Sequence, residues 1–293
     1  MASFLEEAIQ SVLSQDYPNL EYLVIDGGST DGTLEILRRY EGRLRWESRP
    51  DRGQSDAVNS GFLQSRGDIF AFLCADDAYL PGAVRTAARH LLTNPAYVGV
   101  YGEGYLIDEQ STIVCRYPTL PFDPELLRSE CFICQPAAFL RREVFAEVGM
   151  LDSDLHYALD YDFWIRIARR HRLLKVDEYL ALSRMHRGSK TFRYRRAVYR
   201  EQLEVLRRHY GYAPFPNVYG YCCSLLDDRD SFFQPVPPSL SKYALTGLVG
   251  SCRNWRHPLR FWREYARAGL DAWRRKAWRR GGGPGAGRQK RMG

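Results

Sequence analysis

Residues 20–40, LEYLVIDGGSTDGTLEILRRY, read in order as a short apolar strand, a glycine-rich turn and a helix. The strand LEYLVID ends at Asp26, the glycines of GGSTDGT break it, and the Thr30–Thr33 segment can open the helix LEILRRY. On the upstream side, residues 3–15 (SFLEEAIQSVLSQ) set Leu5, Ala8, Ile9, Val12 and Leu13 on one helical stripe, with Ser3 placed to cap it. On the downstream side the same alternation continues. LRWES reads as a strand, QSDAVNSGFLQSR as a helix, IFAFL as a strand, PGAVRTAARHLL as a helix and YVGVYG as a strand. Strand and helix in alternation predict an α/β fold with a mostly parallel, Rossmann-like sheet flanked by helices. In such folds ligands sit beyond the carboxyl ends of the strands, where Asp26 and the pair Asp76–Asp77 stand.

Past residue 104 the alternation loosens. GYLIDEQSTIVCRY reads as a hairpin, CQPAAFLRREVFAEVG as a strand running into a helix, and YDFWIRIARRH as a further helix. The expected organisation is one domain over 1–191, in two halves, 1–103 and 104–191. A helical and Pro/aromatic-rich extension over 192–240, a basic amphipathic helical segment over 241–280 and a disordered tail over 281–293 follow.

With 293 residues, 45% of them hydrophobic and 13% aromatic, the chain can bury a sizeable core. Its net charge of +7 is unevenly placed: residues 251–293 hold 13 Lys/Arg against 2 Asp/Glu, and residues 1–250 hold 29 against 33. A mildly acidic body has no general attraction for a phosphate backbone, so nucleic acid is not the expected partner, although the basic, Trp-bearing tail permits that alternative. Seven cysteines without framework spacing read as reduced thiols, and the expected compartment is the cytoplasm. Cys131 and Cys134 lack a second pair at zinc spacing. No apolar run reaches the roughly 20 residues a spanning helix needs, and the acidic start MASFLEEAIQ is unlike a signal peptide.

Four stretches carry candidate chemistry. In IFAFLCADDAYLPGAV (69–84), Asp76 and Asp77 follow an apolar strand, and two packed carboxylates repel unless a cation or hydrogen-bond donors compensate. VIDGGSTDGT lacks both the GxGxxG pattern and the P-loop lysine, leaving Asp26 as an acceptor for a base or ribose, or a plain turn. Asp160 and Asp162 open the helix of HYALDYDFWIRIARR, where acids also serve as caps. His186 in SRMHRGSKT could contact metal or phosphate, or simply be solvated.

In order, SFLEEAIQSVLSQDYPNLEYLVIDGGSTDGTLEIL, RPDRGQSDAVNSGF, GDIFAFLCADDAYLPGAV, ALDYDFWIRIA and HRGSKT resemble the successive motifs of family 2 inverting glycosyltransferases of the GT-A fold, over about residues 3–191. The resemblance implies that Asp26 meets the nucleotide base and Asp76 the ribose. It implies that Asp77 binds Mg2+ or Mn2+ as the last acid of a DxD-type motif, and that Asp160 is the general base. His186, with Ser189 and Lys190, would approach the diphosphate or metal, and Arg52 and Asp56 would line the donor pocket. The partners implied are a nucleotide-diphospho-sugar donor and a glycan or lipid-linked acceptor. Three departures stand out: Ala75 in place of the first acid of the triplet, Leu159 where relatives carry an acid, and the lack of a first strand of the sort VSVVIPTYN before Ser3. The expected reading of the last is a start placed downstream of the true one, the alternative a truncated, non-catalytic copy.

The segment PLRFWREYARAGLDAWRRKAWRR sets Leu259, Trp262, Tyr265, Ala266, Gly269, Leu270 and Trp273 on one arc, opposite Arg260, Arg263, Glu264, Arg267, Asp271 and Arg274. Such a helix suits an anionic membrane surface through residues 255–280, on the inner face of the plasma membrane, or docks on the body with its basic face solvated.

Overall fold

The computed structural model describes residues 1–227 and 238–280, with side chains described as far as Leu270, so the tail expected over 281–293 lies outside the described residues. The chain divides into two compact units, residues 1–205 and residues 206 onward.

In chain order the first unit contains α1 (Ala2–Leu13), β1 (Leu23–Asp26), α2 (Thr33–Arg39), β2 (Arg45–Ser48), α3 (Gln54–Gln64), β3 (Ile69–Phe70), β4 (Ala78–Tyr79), α4 (Ala83–Thr93), β5 (Gly99–Ile107), β6 (Ile113–Arg116), β7 (Ala138–Arg141), α5 (Glu143–Val148), α6 (Leu159–Ala168), β8 (Leu173–Arg184), α7 (Lys190–Arg193) and the start of α8 (Arg195–Tyr210). The helix stripe read from spacing is buried: Leu5, Ala8, Ile9 and Val12 of α1 face the core. Ser3, expected to cap α1, lies inside it, because the acceptor comes from elsewhere. The Asp31 carboxylate takes the Ala2 amide at 3.0 Å and the Met1 amino group, and also the Thr33 amide (3.3 Å) and hydroxyl (2.7 Å) that open α2. One side chain therefore caps two helices.

The α/β layering is present, and the sheet is mixed. β1 and β2 pair in parallel as one sheet; the other runs β3–β7–β5–β8–β4, with β6 added to β5. Within it β5 and β8 are parallel, while β7, β4 and β6 run antiparallel to their neighbours. The apolar run IFAFL forms ladder bonds only at Ile69 and Phe70. Among the described residues no strand bridges β1 to β3, and Leu23–Ile25 and Ile69–Cys74 are half-buried, where a central parallel strand is buried on both faces. The main core packs Ala83, Ala87 and Leu91 of α4 against Val100, Phe139, Val176 and Leu180 of the strands. A second cluster joins Leu5, Ile9, Leu37 and Leu44, with Val24, Trp46 and Ala75 at its margin.

The second unit packs α9 (Phe215–Leu226), α10 (Leu240–Arg253) and α11 (Pro258–Arg280). Asn254 pairs with both backbone groups of Ala213, at 2.8 and 2.9 Å. Phe261 is fully buried, its ring filling the space where Gly250 has no side chain: a Cβ there would lie 1.8 Å from Phe261 Cζ. Tyr265 donates to Tyr243 O at 3.1 Å. The seam of α11 thus takes Tyr265 and the edge of Trp262, at Gly247, from the apolar arc read off the sequence, and adds Phe261, which that arc leaves out. Leu259 (75% exposed), Trp262 (46%) and Leu270 (57%) remain at the surface. Among the described residues no helix is long and apolar enough to cross a membrane.

Candidate active site

Asp26 closes β1 and is buried. Its Oδ2 accepts from the amides of Gly28 (3.1 Å) and Ser29 (2.9 Å) and from Ser48 Oγ on β2 (2.6 Å). Burial acts to raise this carboxyl, but the hydrogen bonds from Ser29, Ser48 and Gly28 outweigh it and hold it below the usual range. Gly27 and Gly28 then let the turn lie against the segment before α3: a Cβ on Gly27 would sit 2.7 Å from an Asp51 oxygen. Arg52 and Asp56, at the start of α3, contact each other (Arg52 N to Asp56 Oδ2 3.3 Å; Nη2 to Oδ1 3.4 Å) at the exposed rim.

Asp76 and Asp77 occupy the tight turn between β3 and β4, closed by Asp77 N donating to Cys74 O at 3.1 Å. Asp77 is buried, and its Oδ1 accepts from the Arg184 amide at 2.9 Å. Burial and the charge of Asp76 push its carboxyl up to about 8, against the opposing hydrogen bonds from Arg184 and Ser183. Asp76 Oδ2 lies 3.1 Å from Nε2 of His186, whose ring packs on Phe4 with centroids 4.8 Å apart. Arg184 holds this corner together. Its guanidinium is buried, donates to Asp76 O (2.9 Å), Asp108 O (2.8 Å), Ser111 Oγ (3.0 Å) and Glu7 Oε2 (2.6 Å), and lies over the Phe4 ring.

One thiol, one carboxylate oxygen of Asp76 and one of Asp77 lie within 4.8 Å of one another, with Cys74 as the third member. Two hard oxygen donors in a pocket where a second negative charge is already unfavourable fit a divalent cation. The sequence does not single out Cys74, because a lone cysteine carries no signal. It receives Gln54 Nε2 at 3.1 Å and sits 3.7 Å from Gln135 Oε1.

Asp160 is the second residue of α6, and its Oδ1 accepts from the Tyr161 amide at 2.8 Å. Its surroundings raise its carboxyl above the usual range, by burial first and by Glu201 as well. Asp162 serves the fold instead: it is buried and paired with Arg166 at 2.8 Å, and Arg166 also binds the carbonyls of Val148, Gly149 and Met150. The segment before α6 is stitched to α3. Ser55 Oγ donates to Leu155 O (3.0 Å), and Asn59 bonds both backbone groups of Leu151 (2.8 and 3.1 Å). Lys190 Nζ, at the start of α7, reaches His156 O (3.1 Å) and Gln54 Oε1 (3.3 Å). Ser189 Oγ is buried without a hydrogen-bond partner among the described residues.

These groups converge. The Cys74 thiol is pushed up by burial and by the charges of Asp77, Asp76 and Asp160, and is drawn down by Lys190. Tyr117 is raised by burial first, then by Cys131 and Cys134, and further by Asp160 and Asp77. The carboxylates from two separate motifs therefore act on the same two side chains.

A sequence profile described as glycosyl transferase family 2 matches residues 2–149. The chain is 30% identical over 199 residues to an uncharacterised glycosyltransferase of Rickettsia prowazekii, covering 65% of this chain and 62% of that protein. It is 32% identical over 171 residues to the O-antigen biosynthesis protein RfbC of Myxococcus xanthus, covering 57% of this chain and 13% of RfbC. The chain thus spans less than two thirds of the length of these curated relatives. In fold it is similar to the mannosyltransferase PcManGT of Pyrobaculum calidifontis, solved with GDP-Man and Mn2+: TM-score 0.56 and 19% identity, over 92% of this chain and 84% of that one.

Proposed function

The chain belongs to glycosyl transferase family 2, and on that premise we propose that it moves a sugar from a nucleotide-diphospho-sugar to a hydroxyl acceptor, with inversion, in cell-surface polysaccharide or glycolipid synthesis. The observation that carries this reading is the cluster of Asp76 and Asp77 with Cys74, which Gln54 links to Lys190 and which the charge of Asp160 reaches. A transferase of this kind needs a base on one face of the reacting carbon and positive charge at the leaving group on the other.

Asp160 is assigned the base. Its raised carboxyl makes it a better proton acceptor than an ordinary aspartate. It takes the proton of the acceptor hydroxyl, whose oxygen attacks the anomeric carbon as the bond to the diphosphate breaks on the opposite face. Asp77, with Asp76 beside it, is assigned to Mg2+ or Mn2+, which when bound offsets charge on the departing diphosphate. His186, held by Asp76, and the unpartnered hydroxyl of Ser189 beside Lys190 supply donors for the same phosphates. Asp26 is assigned to the base of the nucleotide and Asp76 to the ribose, with Arg52 and Asp56 at the pocket's rim. The Mn2+ and GDP-Man of the Pyrobaculum enzyme support a metal and a nucleotide sugar here, and the RfbC likeness supports a glycan product.

The acceptor is proposed to be lipid-linked, reached from the inner face of the plasma membrane. Support comes from α11, where Leu259, Trp262 and Leu270 are exposed among Arg260, Arg263 and Arg267.

The test is Asp160→Asn. Release of GDP from GDP-Man, or of UDP from UDP-GlcNAc, in the presence of Mn2+ is expected to fall by about 10²–10⁴-fold, with binding of the same nucleotide sugar unchanged by calorimetry. Wild-type turnover in the variant removes Asp160 from the mechanism.

A further inference from the structure

Helix α6 carries Asp160 in its first turn, and the amides just ahead of that turn need acceptors. Its N-cap position is Ala158, which offers no side-chain oxygen, and no local side chain caps the helix. The acceptor comes from α8, about forty residues on. Glu201 is buried, and its Oε1 accepts from the amides of His156 (2.7 Å), Tyr157 (3.0 Å) and Ala158 (3.4 Å), while Oε2 accepts from His156 (3.1 Å) and Tyr157 (2.9 Å). A single carboxylate thus collects consecutive backbone donors at the positive end of a helix, an arrangement that favours negative charge. The same loop is held on its other side by Lys190 at the His156 carbonyl. A residue before Lys190 belongs to the expected diphosphate segment, and α8 follows directly, so one stretch of chain both approaches the donor and sets where α6 begins.

We propose that Glu201 is a positioning residue for the reaction: by gathering the amides of His156, Tyr157 and Ala158 it fixes the first turn of α6 and with it the Asp160 carboxylate. The inference rests on the assignment of Asp160 as the base. Asp160 is faced by Glu201 from α8, by Cys74 from the β3–β4 segment, by Cys131 from the segment before β7 and by Tyr117 just after β6. Among these Glu201 is the carboxylate, and its charge adds to burial in raising Asp160.

The experiment uses the whole chain and needs no acceptor. In Glu201→Gln, which keeps the shape and loses the charge, hydrogen exchange at the amides of residues 156–158 is expected to quicken at least tenfold, with exchange in β5 and β8 unchanged. The carbon-13 titration of the Asp160 carboxyl is expected to shift to lower pH. In Glu201→Asp, which keeps the charge on a shorter stem, the titration is expected to stay closer to wild type than in Glu201→Gln; this second variant carries the test if the first does not fold. With GDP-Man and Mn2+, kcat for GDP release is expected to fall in Glu201→Gln with KM unchanged. Unaltered exchange at 156–158, or an Asp160 titration that both variants leave in place, overturns the proposal. Turnover surviving in Asp160→Asn overturns the base assignment instead, and leaves the exchange and titration results standing.

Discussion

Asp160 and Asp31 are both aspartates near helix starts, and their surroundings pull them in opposite directions. Asp160 is raised by burial and by Glu201, so it keeps its proton to higher pH than an unfolded aspartate. Activity is expected to fall as the pH drops through that raised value, and a pH–rate profile should place its acid limb above the usual carboxylate range. For stability the sign is the reverse: Asp160's contribution is full below its unfolded pKa of about 3.9 and is lost as pH rises through its folded value. Asp31 is held far below that range by hydrogen bonds from the Met1 amino group, Thr33 and Ala2. Its stabilising effect is present above the unfolded pKa and fades as the pH falls toward the folded one. Asp31→Asn is therefore expected to lower the melting temperature at pH 7, by the equivalent of about 1 kcal/mol for each cap weakened. The gap to wild type should narrow on acidification below about pH 4; a gap that stays constant to pH 2 contradicts the assignment. The Asp31 caps and the Glu201 cradle were not legible in the sequence for one reason: both bind backbone amides, which look alike at every position.

Elements with a long period were legible. The stripe of α1 buries as read, and the β5–β6 hairpin and the β7–α5 junction form where the sequence places them. Short strands were less so, because ladder partners rather than apolar content decide their length: IFAFL has five apolar residues and pairs through two. The place of Phe261 in the seam of α11 was missed for a similar reason. A helical wheel shows which faces are apolar, but it does not show that Gly250 leaves a hole that fits Phe261. Gly250→Ala is expected to force Phe261 out of its seat and to loosen α11 from α10. Phe261→Ala, which leaves the seat empty, is expected to cost about 3–5 kcal/mol by thermal or urea unfolding. If Gly250→Ala unfolds like wild type, the seam is not a close-packed one.

At the scale of the whole chain the basic charge and the exposed apolar stripe coincide on α11, whereas the unit of residues 1–205 carries the acids of the candidate site. Leu259→Glu combined with Trp262→Glu is expected to abolish co-sedimentation with vesicles containing phosphatidylglycerol while leaving nucleotide-sugar binding intact. Binding by the wild type should weaken as salt rises past about 0.15 M, where charges are screened over about 8 Å. Equal sedimentation of variant and wild type removes the membrane from the proposed function. Within the first unit, the stitching of α3 to residues 151–155 has a further consequence. Helix α3, proposed to line the donor side, and the approach to Asp160, the proposed base, are joined by hydrogen bonds through Ser55 and Asn59. Under the proposed function, the loss of freedom needed to bring the donor site and the proton acceptor into register is met once, during folding, and not again at each encounter. The short run between Arg184 and Lys190 is likewise pinned, by Met185 N on Ile107 O at 2.8 Å and by His186 against Asp76 and the Phe4 ring.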